Sequence, residues 1–250
     1  MRRTVLSIVG AFAILFVGAE VIWPVATSYW MAAKAPPEAN IVPTELNDKS
    51  VSQATGAKLS YLGYEFEVPW SDLDDSLTRL HPQDKPDKTS VLLRFRSGLA
   101  MMVSITPAHY WSTDLAKAAR VPRSSIEAMY GANDDYSFWN NIYEITPAAI
   151  HHWSFSRRVQ MQESMLLLMK SVFLTPSAHS GIFRVENDHF KGFEEGDPKA
   201  RPGAILIHFF SDDGDVEIVV SQGCCRESRA VTQPELNRII KSLRKAYTVQ

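Results

Sequence analysis

The sequence predicts an α+β fold: an antiparallel sheet of about six to seven strands covered by helices, preceded by one N-terminal transmembrane helix. Three observations carry that prediction. Leu62, Tyr64, Phe66 and Val68 alternate with Gly63, Glu65 and Glu67, the period of a half-buried strand. Short turn sequences join apolar runs at Ser97-Gly98 and at Ser211–Gly214, as antiparallel neighbours require. Two helical blocks, one central and one C-terminal, are then available to cover the sheet. The 250 residues are 45% hydrophobic and 22% charged, which excludes collagen-like and broadly disordered chains. A net charge of −2 provides no basic field for nucleic acid, and two cysteines make no disulfide framework.

The N-terminus reads as an address. Arg2 and Arg3 precede Val5–Ala19, a run without charge, and Val21, Ile22 and Trp23 resume after Glu20. As a helix, Val5–Trp23 would measure about 28 Å, close to the hydrocarbon thickness. Trp23, Tyr29 and Trp30 suit an interfacial aromatic belt, and the two arginines place the N-terminus in the cytoplasm. The competing reading is a signal peptide cut after Val17-Gly18-Ala19. Residues 1–33 are therefore expected as a membrane anchor or signal peptide, with membrane contact through 5–23. Residues 34–58, with Pro36, Pro37 and Pro43, are expected as a flexible tether. Residues 59–250 are expected as a single extracytoplasmic α+β domain, located in the periplasm or outside the cell at the cytoplasmic (inner) membrane.

Within that domain the first strand is predicted over Leu59–Pro69, and Trp70–His81 as one or two helical turns. A hairpin follows at Val91–Arg96 and Leu99–Thr106. Ser124 and Glu127 have capping-box spacing, and Gly131 is placed to end that helix. Tyr136–Ile145 is aromatic-rich, and Thr146-Pro147 suits a helix start. Arg157–Leu174 is the clearest helix, with Met161, Met165, Leu168 and Val172 as its apolar stripe. Strands are predicted over Gly181–Glu186 and His189–Phe193 around Asn187-Asp188. Ala204–Phe210 and Asp215–Ser221 form the strongest hairpin. A last helix starts at a Thr232/Glu235 capping box, with Ile239, Ile240, Leu243 and Tyr247 on its apolar face.

This order of elements resembles the Mog1/PsbP-like α/β sandwich. The carrying segments are Tyr64-Glu65-Phe66-Glu67-Val68-Pro69-Trp70 and Ile239-Ile240-Lys241-Ser242-Leu243-Arg244, and the resemblance spans most of Leu59–Tyr247. It implies a sandwich fold and, because members are mostly non-catalytic, an assembly or binding role. The helical insert Ser112–Leu174 departs from a minimal version of that fold.

Motifs for phosphate-binding loops, dinucleotide binding, zinc proteases, serine hydrolases and C-x-x-C redox centres are all missing, and no cofactor is implied. Adjacent Cys224 and Cys225 invite a redox or metal-thiolate role. A bond between them would be strained, since neighbouring Cα atoms are about 3.8 Å apart and disulfides need about 4.4–6.8 Å. The plainer reading is two small side chains in a strand-to-helix loop. His151-His152 point about 100° apart on a helix and cannot chelate one ion. His208 reads as a packed or edge imidazole, and Asp212, Asp213 and Asp215 read as turn chemistry. Trp70, Trp111, Trp139 and Trp153 sit in or beside loops, either as core anchors or as the wall of a ligand or partner groove. The function expected is a membrane-anchored binding or assembly module with a protein partner. The alternatives are an exported hydrolase with its site under the aromatic loops, or a thiol or metal function at Cys224-Cys225.

Overall fold

A computed structural model describes residues 22–77, 79–82, 89–151, 157–201, 203–221 and 229–246. Its first element, α1 (Trp23–Lys34), corrects the expected transmembrane helix. Twelve residues make about 18 Å of helix, and among the described residues no helix is long and apolar enough to cross a membrane. This helix buries Pro24, Val25 and Ser28 against the domain and leaves Ile22 and Trp23 exposed. Residues 5–21 lie outside the described residues.

Residues 34–58, expected as a tether, are laid along the domain. Thr44–Glu45 (β1) enters the main sheet, and the Asn237 side-chain amide donates to the carbonyls of Asp48 and Ser50, both at 2.7 Å. Donors from distant elements hold this segment, so it needs no periodicity of its own.

The first predicted strand is two strands. Leu62 and Gly63 both take positive φ (55° and 80°), a primed turn that folds Ala57–Tyr61 (β2) onto Tyr64–Val68 (β3). The helical turns expected over Trp70–His81 are absent from the described residues there. Leu73 bridges to Phe95, and Arg79–Pro82 (β4) pairs with Thr89–Arg94 (β5). Ala100–Pro107 (β6) completes the predicted hairpin, with Gly98 at φ 85° in its turn.

Four helices follow: α2 (Tyr110–Ala119), α3 (Arg123–Tyr130), α4 (Asp135–Glu144) and α5 (Arg157–Phe173). The Ser124/Glu127 capping box does not form, because Arg123 is already helical and Glu127 pairs with it at 3.0 Å. Gly131 ends α3 in the left-handed conformation as expected. The real capping box is Asp134/Ser137 at the start of α4, where the Ser137 N–H donates to Asp134 at 2.6 Å. Of the predicted stripe of α5, Met161, Leu168 and Val172 are exposed and Met165 is half-buried against the aromatic core, whereas Gln160, Ser164, Leu167 and Lys170 are buried.

Strands Ile182–Glu186 (β7), Lys191–Glu195 (β8), Ala204–Ser211 (β9) and Gly214–Ser221 (β10) form two successive hairpins. Helix α6 (Gln233–Ser242) and Arg244–Lys245 (β11) are the last described elements, and α6 has the predicted Thr232/Glu235 box. The main sheet has eight strands in the order β1-β7-β8-β9-β10-β6-β5-β4. Its β1–β7 pair is parallel, so the antiparallel sheet of six to seven strands is corrected to a mixed one. The parallel pair comes from the segment expected as a tether. A second sheet, β11-β3-β2, stands apart.

The main sheet separates two cores. One face presents Ile205, Ile207, Phe209, Val216, Ile218 and Val220 to α6 and the small sheet. The other presents Phe193 and Phe210 to the aromatic residues of α4 and the neighbouring helices.

Candidate functional site

The helical face also carries charge, and its placement follows from strand alternation. Glu195, His208 and Asp215 project from β8, β9 and β10 on the side opposite Ile207 and Val216, and all three are buried. Helix α4 adds Asp135, held at its first position by the Asp134 cap. Asp135 Oδ2 accepts the Tyr110 N–H at 3.1 Å, which joins the starts of α2 and α4. Among the described residues no N–H donates to Asp135 Oδ1 or to either oxygen of Asp215, and the bond between these two carboxyls is a proton shared between them. His208 Nε2 lies 3.8 Å from Asp215 Oδ2, with its ring against Trp139 and Phe210.

Burial dominates the electrostatics of the pair. It pushes Asp135 up to about 7, reinforced by Asp215 and opposed by the Tyr110 N–H, His109 and His208. It pushes Asp215 up to about 8, against the bond to Asp135 and with help from Asp134 and Glu217. The dipole of α4 favours an ionised Asp135 but is outweighed by desolvation. At neutral pH the pair keeps at least one proton and titrates as a unit.

Only one member of the pair reaches a cleft. A hollow of about 820 Å³ is lined by His109, Asp134, Asp135 and Tyr136 on the helical side, and by the β7–β8 and β9–β10 turns on the other. The turn residues Asp188, His189, Asp212 and Asp213, with Lys191 at the start of β8 and Arg244 and Lys245 of β11, complete it. Asn187 sets this wall: its side-chain oxygen accepts the N–H groups of His189 and Phe190, and its amide donates to the carbonyls of Ile240 and Leu243. Tyr136 stacks on Phe193 (5.4 Å, 8°) at the base. Lys245 is paired with Asp213 and Arg244 with Glu65. The wall facing α4 therefore carries both signs, the carboxylates Asp188, Asp212 and Asp213 beside Lys191, Arg244 and Lys245.

Two other buried charges are fully engaged. Glu195 accepts from the Tyr143 hydroxyl and from the hydroxyl (2.5 Å) and N–H (3.3 Å) of Thr175. Lys170 donates to the carbonyls of Ile41, Tyr143 and Ile145 at 2.6, 2.7 and 2.8 Å, and burial lowers it to about 8. Both act as clamps with no valence left for a ligand.

The predicted aromatic residues do not form one group. Trp70 packs edge-on against Phe95 in the core on the α6 side. Trp111 and Trp139 meet edge to face at 5.1 Å in the opposite core, with Phe173 beside both. None of these three lines the cleft, and they serve as core anchors. Trp153, Cys224 and Cys225 lie outside the described residues. Among the described residues no group of three or more His, Cys, Asp or Glu is arranged to hold a metal ion.

Sequence reasoning missed Asp135 and took Asp215 for turn chemistry. The available signal for Asp215 was its phase: two residues past the turn, it begins an alternation whose even members, Val216, Ile218 and Val220, are core. The chain was compared with family models, with curated proteins and with solved structures, and none matches it.

Proposed function

We propose that this chain is a non-catalytic binding or assembly module, carried outside the cytoplasm, whose ligand seats in the 820 Å³ cleft. The observation that carries the reading is Asp135, which is only 5% exposed and lies in the cleft wall, its carboxyl fixed there by the Tyr110 N–H and by the proton it shares with Asp215. The volume lies in the range that encloses small ligands, and a lining that carries both signs of charge suits a polar ligand or peptide segment bearing both. Arg2, Arg3 and the uncharged run Val5–Ala19 support export.

The paired carboxyls favour one alternative, acid–base hydrolysis. Such chemistry needs both groups at the reacting atoms. Asp215 is 1% exposed and forms no part of the cleft wall, so a ligand reaching Asp135 meets only one member of the proton-sharing pair. Binding is thus better supported than catalysis.

Crosslinking of the full chain, with identification of what is captured, tests the reading. Capture should be lost in the cleft variants Lys191→Glu and Asp212→Lys and kept in Lys117→Glu, an exposed position on α2. Capture that the cleft substitutions leave unchanged would refute the cleft as the binding site.

A further inference from the structure

Helix α1 buries one apolar face and exposes another. Val25, Ser28, Met31 and Ala32 pack toward the domain. The outward stripe is Ile22, Trp23, Ala26, Tyr29, Trp30 and Ala33, at the i, i+3, i+4, i+7 spacing of a single helix face. Trp23 is 71% exposed, Ile22 62% and Trp30 60%. No charged side chain occurs in the helix before Lys34 at its end. Single exposed apolar residues need no explanation, but an uninterrupted aromatic stripe along one helix marks a contact surface. Helix α5, against which α1 packs, exposes Met161, Leu168 and Val172 as a second stripe.

We propose that the exposed face of α1 is a lipid-contact surface, lying in the headgroup region of a bilayer without crossing it. This inference is independent of the cleft. The chemistry favours lipid because tryptophan and tyrosine combine an apolar body with a polar tip, the combination enriched at membrane–water interfaces. The order of the chain points the same way. Twenty-one residues precede Ile22, and they carry Arg2, Arg3 and the uncharged run Val5–Ala19, a composition matched to an anionic lipid surface. Ile22 is itself helical (φ −67°, ψ −42°) and 62% exposed, so the stripe starts at the first described residue.

The test uses full-length protein and phosphatidylcholine–phosphatidylglycerol vesicles with acyl chains brominated near the headgroups. Bromine quenches only tryptophans at that depth, so emission should fall by roughly a third, because two of the six tryptophans are on the stripe. Trp23→Phe/Trp30→Phe, which keeps the apolar surface, should abolish the loss. Ala26→Glu/Ala33→Glu should abolish it with both tryptophans in place, and unchanged circular dichroism would show that this variant is folded. The proposal is overturned if wild-type emission is unaffected by brominated vesicles. Quenching that persists in Ala26→Glu/Ala33→Glu overturns it too, since attachment elsewhere would then account for the proximity. So does shielding of Trp23 and Trp30 from acrylamide that grows with protein concentration in the absence of vesicles, because a second copy would then cover the face.

Discussion

Strands β9 and β10 serve two cores with opposite chemistry. Toward α6 they turn Ile205, Ile207, Phe209, Val216, Ile218 and Val220, and that core is apolar wherever these strands contribute. Toward the helical layer the same strands turn His208, Phe210 and Asp215, equally buried. A core of the first kind is held by area removed from water, roughly 25 cal/mol per Å². The second must satisfy charge within a low dielectric, which it does by proton sharing at Asp135–Asp215 and by complete hydrogen bonding at Glu195 and Lys170. The difference separates the part of the sheet that stabilises the fold from the part that has chemistry available for a ligand.

The comparison yields its largest test on the apolar side. Phe209→Ala should cost about 3–5 kcal/mol in urea unfolding, with little dependence on pH. On the helical side, Lys170→Met removes the shared donor of three carbonyls and should cost about 3 kcal/mol, a loss that Lys170→Arg repairs only in part. If Lys170→Met were neutral, the charged core would be as tolerant of substitution as a surface.

The two faces should also part in their response to pH. Asp135 and Asp215 are raised in the folded state, so the native protein holds protons that the unfolded chain releases above about pH 4. Stability should therefore fall as pH rises from about 4 toward 8, by about 1.4 kcal/mol per pH unit for each proton retained. Asp215→Asn should flatten that slope in urea titrations at pH 5, 6, 7 and 8, and leave the variant at least as stable as the parent at pH 8. Glu194, raised to about 8 behind the Gln233 amide on the α6 side, contributes a separate share that Glu194→Gln removes. An undiminished slope in Asp215→Asn would mean the pair does not hold its proton. The smallest effect is expected at the rim: Arg244→Ala breaks an exposed pair with Glu65 and should change stability by about 0.5 kcal/mol or less.

Periodicity made the α+β class, the hairpins of β5–β6 and β9–β10, and α6 with its capping box readable in advance. What it could not reveal depends on contacts across the chain. Leu62 sits at positive φ only because the β2–β3 hairpin requires it, so Leu59–Pro69 passed for one strand. Three of the four residues read as the buried stripe of α5 face outward and only Met165 packs inward, because Lys170 and Gln160 are residues its neighbours accommodate. Asp135 and Asp215 are eighty positions apart, and neither is unusual until the other is beside it. The same holds for the cleft, whose walls come from five elements and whose basic edge follows from Asn187 reaching the end of α6.

One small element has a practical consequence. Strand β1 is only two residues long, yet it is what lies along the outer edge of β7. Without it, β7 would offer unpaired backbone groups to any other extended chain, the usual route to aggregation through sheet edges. A protein shortened to begin at Leu59 would lose this cover and also the Ile41 carbonyl that engages Lys170. Such a truncation is expected to be prone to self-association, whereas one beginning at Trp23 should remain well behaved.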